Sequence, residues 1–172
     1  SESFSFIPAP SMTVLRMAVL SMLCDDDLHY ILSGGHMSNG MFLRSLTELH
    51  LTESNISSAC LLTLLGESCR QDSDNLSLQT LDLSWSVDNL EVHALDALIC
   101  KCPDMIDLRL QSTSASDTTL RAITRVCKDL QVLYFNRCSL LSPLQLRELT
   151  LLMKLKEIDL SWAIYSKEEL SL

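Results

Sequence analysis

Leu130-Gln131-Val132-Leu133-Tyr134-Phe135 sets apolar residues at its first, fourth and sixth positions, and this spelling returns along the chain. It is found at Val14/Met17/Val19, Leu46/Leu49/Leu51, Leu78/Leu81/Leu83, Met105/Leu108/Leu110, Leu130/Leu133/Phe135 and Leu155/Ile158/Leu160. The starts lie 32, 32, 27, 25 and 25 residues apart, a spacing that points to an internal repeat. A repeat array replaces a single compact core with one shared between neighbours, and it exists to present a surface.

Within each spelling the alternation puts successive side chains on opposite faces of a short strand, so Leu49 and Leu51 point inward and His50 outward. After each strand and turn comes an apolar period of three to four, carried by Leu62/Leu65, Leu95/Leu98, Leu120/Ile123/Val126 and Leu146/Leu149/Leu152. That period fits an amphipathic helix on the opposite side. Ser57, Ser116 and Ser142 suit helix N-caps, and Pro143 suits the first helical position. Strand, turn and helix at this period resemble a leucine-rich repeat. The expected fold is therefore α/β, a right-handed leucine-rich-repeat solenoid of five to six repeats, with parallel strands on its concave face and helices on its convex face. Residues 1–172 form one domain, with repeats starting near 14, 46, 78, 105, 130 and 155 and an N-terminal extension over 1–13. Two insertions, Ser33 to Phe42 with its glycines and Arg70 to Ser77, fall between helix and strand, where a loop bulges outward without disturbing the stack.

The net charge of −9, from 13 basic and 22 acidic side chains, argues against a nucleic-acid surface, which needs clustered Lys and Arg. A basic or neutral protein is the better electrostatic partner. Although 47% of the chain is hydrophobic, no run of about 18 apolar residues supports a membrane span. Met12 to Cys24 comes nearest, interrupted by Arg16 and closed by Asp25 to Asp27, and no basic leader or cleavage pattern marks a signal peptide. The seven cysteines follow the repeat, as packing residues do. Reduced cysteines imply a cytoplasmic or nuclear protein.

Two segments carry a narrower resemblance: Cys102-Pro103-Asp104-Met105-Ile106-Asp107-Leu108-Arg109-Leu110 and the run from Cys127 through Leu130, Leu133 and Phe135 to Cys138. A helix ending in Cys, a polar link, the apolar spelling and a second Cys resemble the cysteine-containing repeats of F-box/leucine-rich-repeat proteins. Asp27-Leu28, Asp117 with Leu120, and the endings Leu81-Asp82-Leu83-Ser84-Trp85 and Ile158-Asp159-Leu160-Ser161-Trp162 are similar to that family too. The pattern departs from it where Met22, Ser54, Ser86, Thr113 and Ala163 stand in place of the second Cys. Residues 1–13 are too few to hold the family's F-box. The resemblance implies substrate recognition for an F-box-type ubiquitin ligase, whose adaptor would be met through a region outside this chain. A non-catalytic scaffold or assembly subunit unrelated to ubiquitination is the alternative.

The spacer residues list the candidate surface. A central column holds Ala18, His50, Asp82, Arg109, Tyr134 and Asp159. It is flanked by Arg16, Glu48, Thr80, Asp107, Val132 and Glu157 on one side, and by Leu20, Thr52, Ser84, Gln111, Asn136 and Ser161 on the other. Arg109 and Tyr134, one repeat and roughly 5 Å apart, are of types enriched at binding hot spots. Trp85 and Trp162 fall seven residues after their repeat starts, in a rim column with Ser21, Glu53, Ser112 and Arg137. Each indole either anchors a partner beside Arg137 or packs over its turn. The candidate partner-binding residues are thus His50, Asp82, Arg109, Tyr134, Asp159, Trp85, Arg137 and Trp162.

Signals for catalysis are poor. Gly34-Gly35 lacks the third glycine and lysine of a phosphate loop, and His29, His36, His50 and His93 pair with no Ser or Cys in a motif. Cys100-Lys101-Cys102 has no second ligand pair at zinc spacing. The reading is a non-enzymatic protein-binding module without cofactor or metal.

Overall fold

The computed structural model describes residues 11–18, 25–33, 41–71, 73–86, 90–138 and 141–162. It is an α/β fold with six strands, β1 (Val14–Ala18), β2 (Glu48–Thr52), β3 (Thr80–Asp82), β4 (Asp107–Arg109), β5 (Val132–Tyr134) and β6 (Glu157–Asp159). All neighbours pair in parallel, and their order in the sheet is their order in the chain. Helices occupy the connections: α1 (Asp25–Leu32), α2 (Met41–Ser45), α3 (Ser58–Ser68), α4 (Val92–Cys100), α5 (Asp117–Val126) and α6 (Pro143–Glu148), the last continued by a 3-10 turn over Leu149–Leu151. Among the described residues, no helix is long and apolar enough to cross a membrane.

Register explains why the spelling repeats. Leu15, Leu49, Leu81, Leu108, Leu133 and Ile158 are successive partners across the sheet, and the first five are buried. Leu51, Leu83, Leu110 and Phe135 form a second buried row, and Leu46, Leu78, Met105 and Leu130 a third. Each row buries the apolar side chains of one strand against those of the next.

The first repeat is displaced from its expected position. Leu15 pairs with Leu49 and Met17 with Leu51, so the first unit reads Met12/Leu15/Met17 and starts at 12 rather than 14. A slip of two residues keeps every side chain on its own face, so alternation alone cannot detect it. Pairing with β2 can, and it moves Arg16 into the central column, with Val14 and Ala18 beside it. Val19, Leu20, Ser21 and Met22, the first ten residues, the glycine insertion over 34–40 with His36, and the tail from Ala163 lie outside the described residues.

The helices follow the expected apolar faces with one correction. In α3 the buried set is Cys60, Leu61, Leu64 and Leu65, while Leu62 is 37% exposed. Four consecutive apolar letters from Ala59 to Leu62, with Leu64 and Leu65 after Thr63, make the sequence period ambiguous there, and packing against α1 and α4 resolves it. Ser57, Ser116 and Ser142 each cap their helix by accepting a backbone N–H, and Pro143 opens α6. Neighbouring helices are also tied end to end. The first residue of one helix accepts the cap N–H of the next: Asp25 from Ser57 at 3.0 Å, Ser58 from Glu91 at 2.7 Å and Asp117 from Ser142 at 2.8 Å. Val92 has no acceptor to offer at that position, and Ser116 N–H turns instead to Thr119 of its own capping box.

The cysteines behave as small core residues. Cys127 Sγ donates to the Cys102 carbonyl of the preceding repeat at 3.5 Å, and burial pushes its thiol up to about 12. Cys102 is pushed up by burial as well, first by loss of solvent and then by Cys127. Cys138 Sγ donates to Leu110 O at 3.0 Å, and Ser86 Oγ makes the same link to Leu51 O at 3.2 Å. A buried hydroxyl therefore does at Ser86 what the thiol does at Cys138: it satisfies a carbonyl at the end of the preceding strand. In the insertion after α3, Leu76 is buried and its N–H donates to Lys101 O at 2.7 Å, so that loop is partly anchored to the core.

A turn of one kind follows the strands. Glu53, Trp85, Ser112, Arg137 and Trp162 all adopt positive φ, between 50° and 66°. Each lies seven residues after its repeat start, and the N–H groups of the first four continue the inter-strand ladder to Ser84, Gln111, Asn136 and Ser161 carbonyls. The left-handed turn ends each of β2 to β6, at a cost that glycine would avoid.

Candidate partner-binding face

Outward strand positions gather the predicted residues into one register. Arg16, His50, Asp82, Arg109, Tyr134 and Asp159 are successive partners across β1 to β6. Val14, Glu48, Thr80, Asp107, Val132 and Glu157 form the row before them. Short parallel strands one ladder spacing apart leave these side chains no choice but to touch along the rows.

The charged groups are mutually engaged. Arg16 Nη2 donates to Glu48 Oε2 at 2.6 Å. Arg109 grips Asp107 with two parallel bonds, Nε to Oδ1 at 3.0 Å and Nη2 to Oδ2 at 2.9 Å. That fork raises the guanidinium's affinity for its proton, with the Asp107 hydrogen bond the largest cause. The same guanidinium lies 5.0 Å from the Tyr134 ring centroid, a cation–π contact between adjacent strands. Tyr134 Oη donates in turn to Glu157, and the carboxylate's demand for that proton pushes the phenol up. Asp107, Arg109, Tyr134 and Glu157 are thus one chain of contacts over β4 to β6.

Two aspartates are held by their own turns. Asp82 Oδ1 accepts Ser84 N–H at 3.0 Å and Asp159 Oδ1 accepts Ser161 N–H at 2.8 Å. Hydrogen bonds from Ser161 hold the Asp159 carboxyl below its ordinary range. Both carboxylates are fixed in direction by these bonds, and that of Asp159 stays anionic at neutral pH.

At the rim, Trp85 is 48% and Trp162 77% exposed. Arg137 reaches back over the small Ser112 to lie 5.5 Å from the Trp85 ring, two repeats away, rather than pairing with its immediate neighbour Trp162. Positive φ turns both indoles out of the strand line, which the sequence signalled only as a recurring position.

His50 lies between Arg16 and Asp82 in the central column, with Nε2 3.8 Å from Glu48 Oε2, beyond hydrogen-bond length. His50 Nε2, Ser84 Oγ and Asn136 Oδ1 are the buried side-chain polar atoms without a partner among the described residues, and all three belong to outward positions of this sheet. The sequence places Ser84 and Asn136 in a flanking column but carries no signal for their unmet hydrogen bonds, which depend on tertiary burial. No group of three His, Cys, Asp or Glu arranged for a metal occurs among the described residues. Cys102 Sγ is committed to Leu98 O at 3.2 Å inside the core, whereas Cys100 is exposed, so the two do not converge. No family model and no curated protein matches the chain.

Proposed function

We propose that the chain is a right-handed leucine-rich-repeat solenoid of the cysteine-containing kind, and that it recognises a protein partner through the outward face of its sheet and the adjoining rim. Right-handedness rests on the general preference of parallel crossovers, about 98% of which have that hand. The repeat assignment rests on the spelling, on cysteines or hydroxyls at recurring buried positions, and on strands and helices alternating in chain order.

The observation that carries the binding reading is the continuous Asp107–Arg109–Tyr134–Glu157 network, half-buried on β4 and β5 and exposed at Glu157 on β6, and flanked by Trp85, Arg137 and Trp162. Arg, Tyr and Trp are the residue types that dominate interface energetics, and here their side chains are pre-ordered by one another. Resemblance to F-box/leucine-rich-repeat proteins extends the proposal: the module is the substrate-recognition part of an F-box-type ubiquitin ligase, non-catalytic itself, with the adaptor engaged through a region outside residues 1–172. Six free cysteines among the described residues favour the cytoplasm or nucleus as its compartment.

The double variant Arg109→Glu with Tyr134→Ala tests the face. Affinity purification with quantitative mass spectrometry should show partners of the wild-type protein lost at least about tenfold, while the thermal transition shifts by no more than a few degrees because both side chains are only half-buried and neither belongs to the core. Retention of the same partners at unchanged intensity removes the face from consideration. Co-purification of the ligase adaptor with the full-length protein tests the extension separately.

A further inference from the structure

The arginines of the outward face are spent internally. Arg16 is on Glu48, Arg109 is on Asp107, and Arg137 covers Trp85. Carboxylates exceed them: Glu48, Asp82, Asp107, Glu157 and Asp159 occupy outward strand positions and Glu53 the rim. The imbalance is steepest at β6, whose outward positions hold Glu157 and Asp159 and no cation, three residues before the rim indole of Trp162.

Trp162 repeats the situation of Trp85 with one part missing. Both sit at the same repeat position, both have φ near 60°, and both follow the same Asp-Leu-Ser turn in which the aspartate accepts the serine N–H. Trp85 has a guanidinium over its ring, supplied from two repeats farther on. Trp162 is 77% exposed, and among the described residues none lies over it as a cation. A second, independent observation lies on the same face. Ser84 is only 2% exposed yet its Oγ has no partner, and Asn136 Oδ1 is a buried acceptor without a donor. Asn136 Oδ1 can only accept, and beside surplus carboxylates on a half-buried residue it favours a ligand rich in hydrogen-bond donors.

We propose that the outward sheet face docks an extended, arginine- or lysine-bearing segment of a partner protein, one of whose cations stacks on Trp162 as Arg137 stacks on Trp85. This rests on the protein-binding reading above and names the chemistry of the partner. The carboxylates of Asp159 and Glu157 flank the incoming cation, and donors along the segment reach toward Asn136. Nucleic acid is disfavoured by the same surplus of negative charge.

Fluorescence anisotropy with a labelled nine-residue peptide of alternating Arg and Ser, and with its neutral citrulline counterpart, tests the proposal on the whole chain. Binding of the arginine peptide should exceed that of the citrulline peptide by about tenfold, since only the former carries charge. Trp162→Ala and Asp159→Asn should each weaken it about fivefold or more, whereas Asp104→Asn, an equal change of charge at an exposed site off this face, should cost less than about twofold. Equal losses from Asp159→Asn and Asp104→Asn, equal binding of the two peptides, or no binding of either overturns the proposal. Partners lost on Arg109→Glu with Tyr134→Ala but not displaced by the arginine peptide would leave the protein-binding face standing and remove the cationic segment. Partners indifferent to that double variant would remove both.

Discussion

Leu83 and His50 occupy neighbouring repeats and opposite faces, and they show how differently two residues are worth keeping. Leu83 is buried in the second apolar row, so Leu83→Ala should cost about 2–5 kcal/mol by opening a cavity that two repeats share. His50 presents a ring nitrogen that no partner satisfies, and His50→Ala should stay within about 0.5 kcal/mol. Urea unfolding of both variants measures the difference; equal losses would mean that the inward and outward rows are exchanged. The same distinction was legible from alternation alone, because an apolar side chain with period two can face only one side. What alternation could not reveal is that Arg137 would choose Trp85 over Trp162. That choice depends on Ser112 being small enough for a guanidinium to cross.

Among elements, the turn after each of β2 to β6 is uniform in conformation and varied in sequence. Glu, Trp, Ser, Arg and Trp fill five left-handed positions where glycine would be the least strained choice. Glu53→Gly should therefore raise stability by up to about 1 kcal/mol, since Glu53 is exposed and its N–H bond to Ser84 O survives the change. Glu53→Val should lower it, because a β-branched side chain tolerates positive φ poorly. Thermal unfolding of the two variants should bracket the parent, and a Gly variant less stable than the parent would mean the glutamate side chain contributes more than its backbone costs. Retention of Trp at two such positions is consistent with a surface role for the indoles. Helix caps at Ser57, Ser116 and Ser142 were legible because capping is local chemistry. Links from Asp25 to Ser57 and from Asp117 to Ser142 were not, since they join residues 32 and 25 positions apart.

Over the whole molecule, burial is uneven. Ile158 is 40% exposed while its row partners Leu49, Leu81, Leu108 and Leu133 are 0–3% exposed, and Leu155 and Leu160 are only partly buried. Among the described residues β6 pairs with β5 alone, and in residues 1–172 an element paired on one side opens before those paired on both. Hydrogen exchange followed by mass spectrometry should find Phe135 and Arg137 amides, which bond to β6, exchanging several-fold faster than Leu110 and Ser112 amides, which bond to β5. Uniform protection across the sheet would mean that the array unfolds as one unit. A partner on the Trp162 end should slow exchange there most.

The repeat, its strand and helix alternation, the buried rows and most cap residues are determined by the sequence by itself, because each follows from the period of apolar letters or from chemistry within a few positions. Tertiary structure alone decided the register of β1, the buried face of α3 and the partner of Arg137. It also decided which outward polar atoms go unsatisfied. The physical reason is the same in each case. A two-residue slip, a run of adjacent leucines and a choice between two indoles are equivalent to any local rule, and only contact with the neighbouring repeat makes one alternative lower in energy.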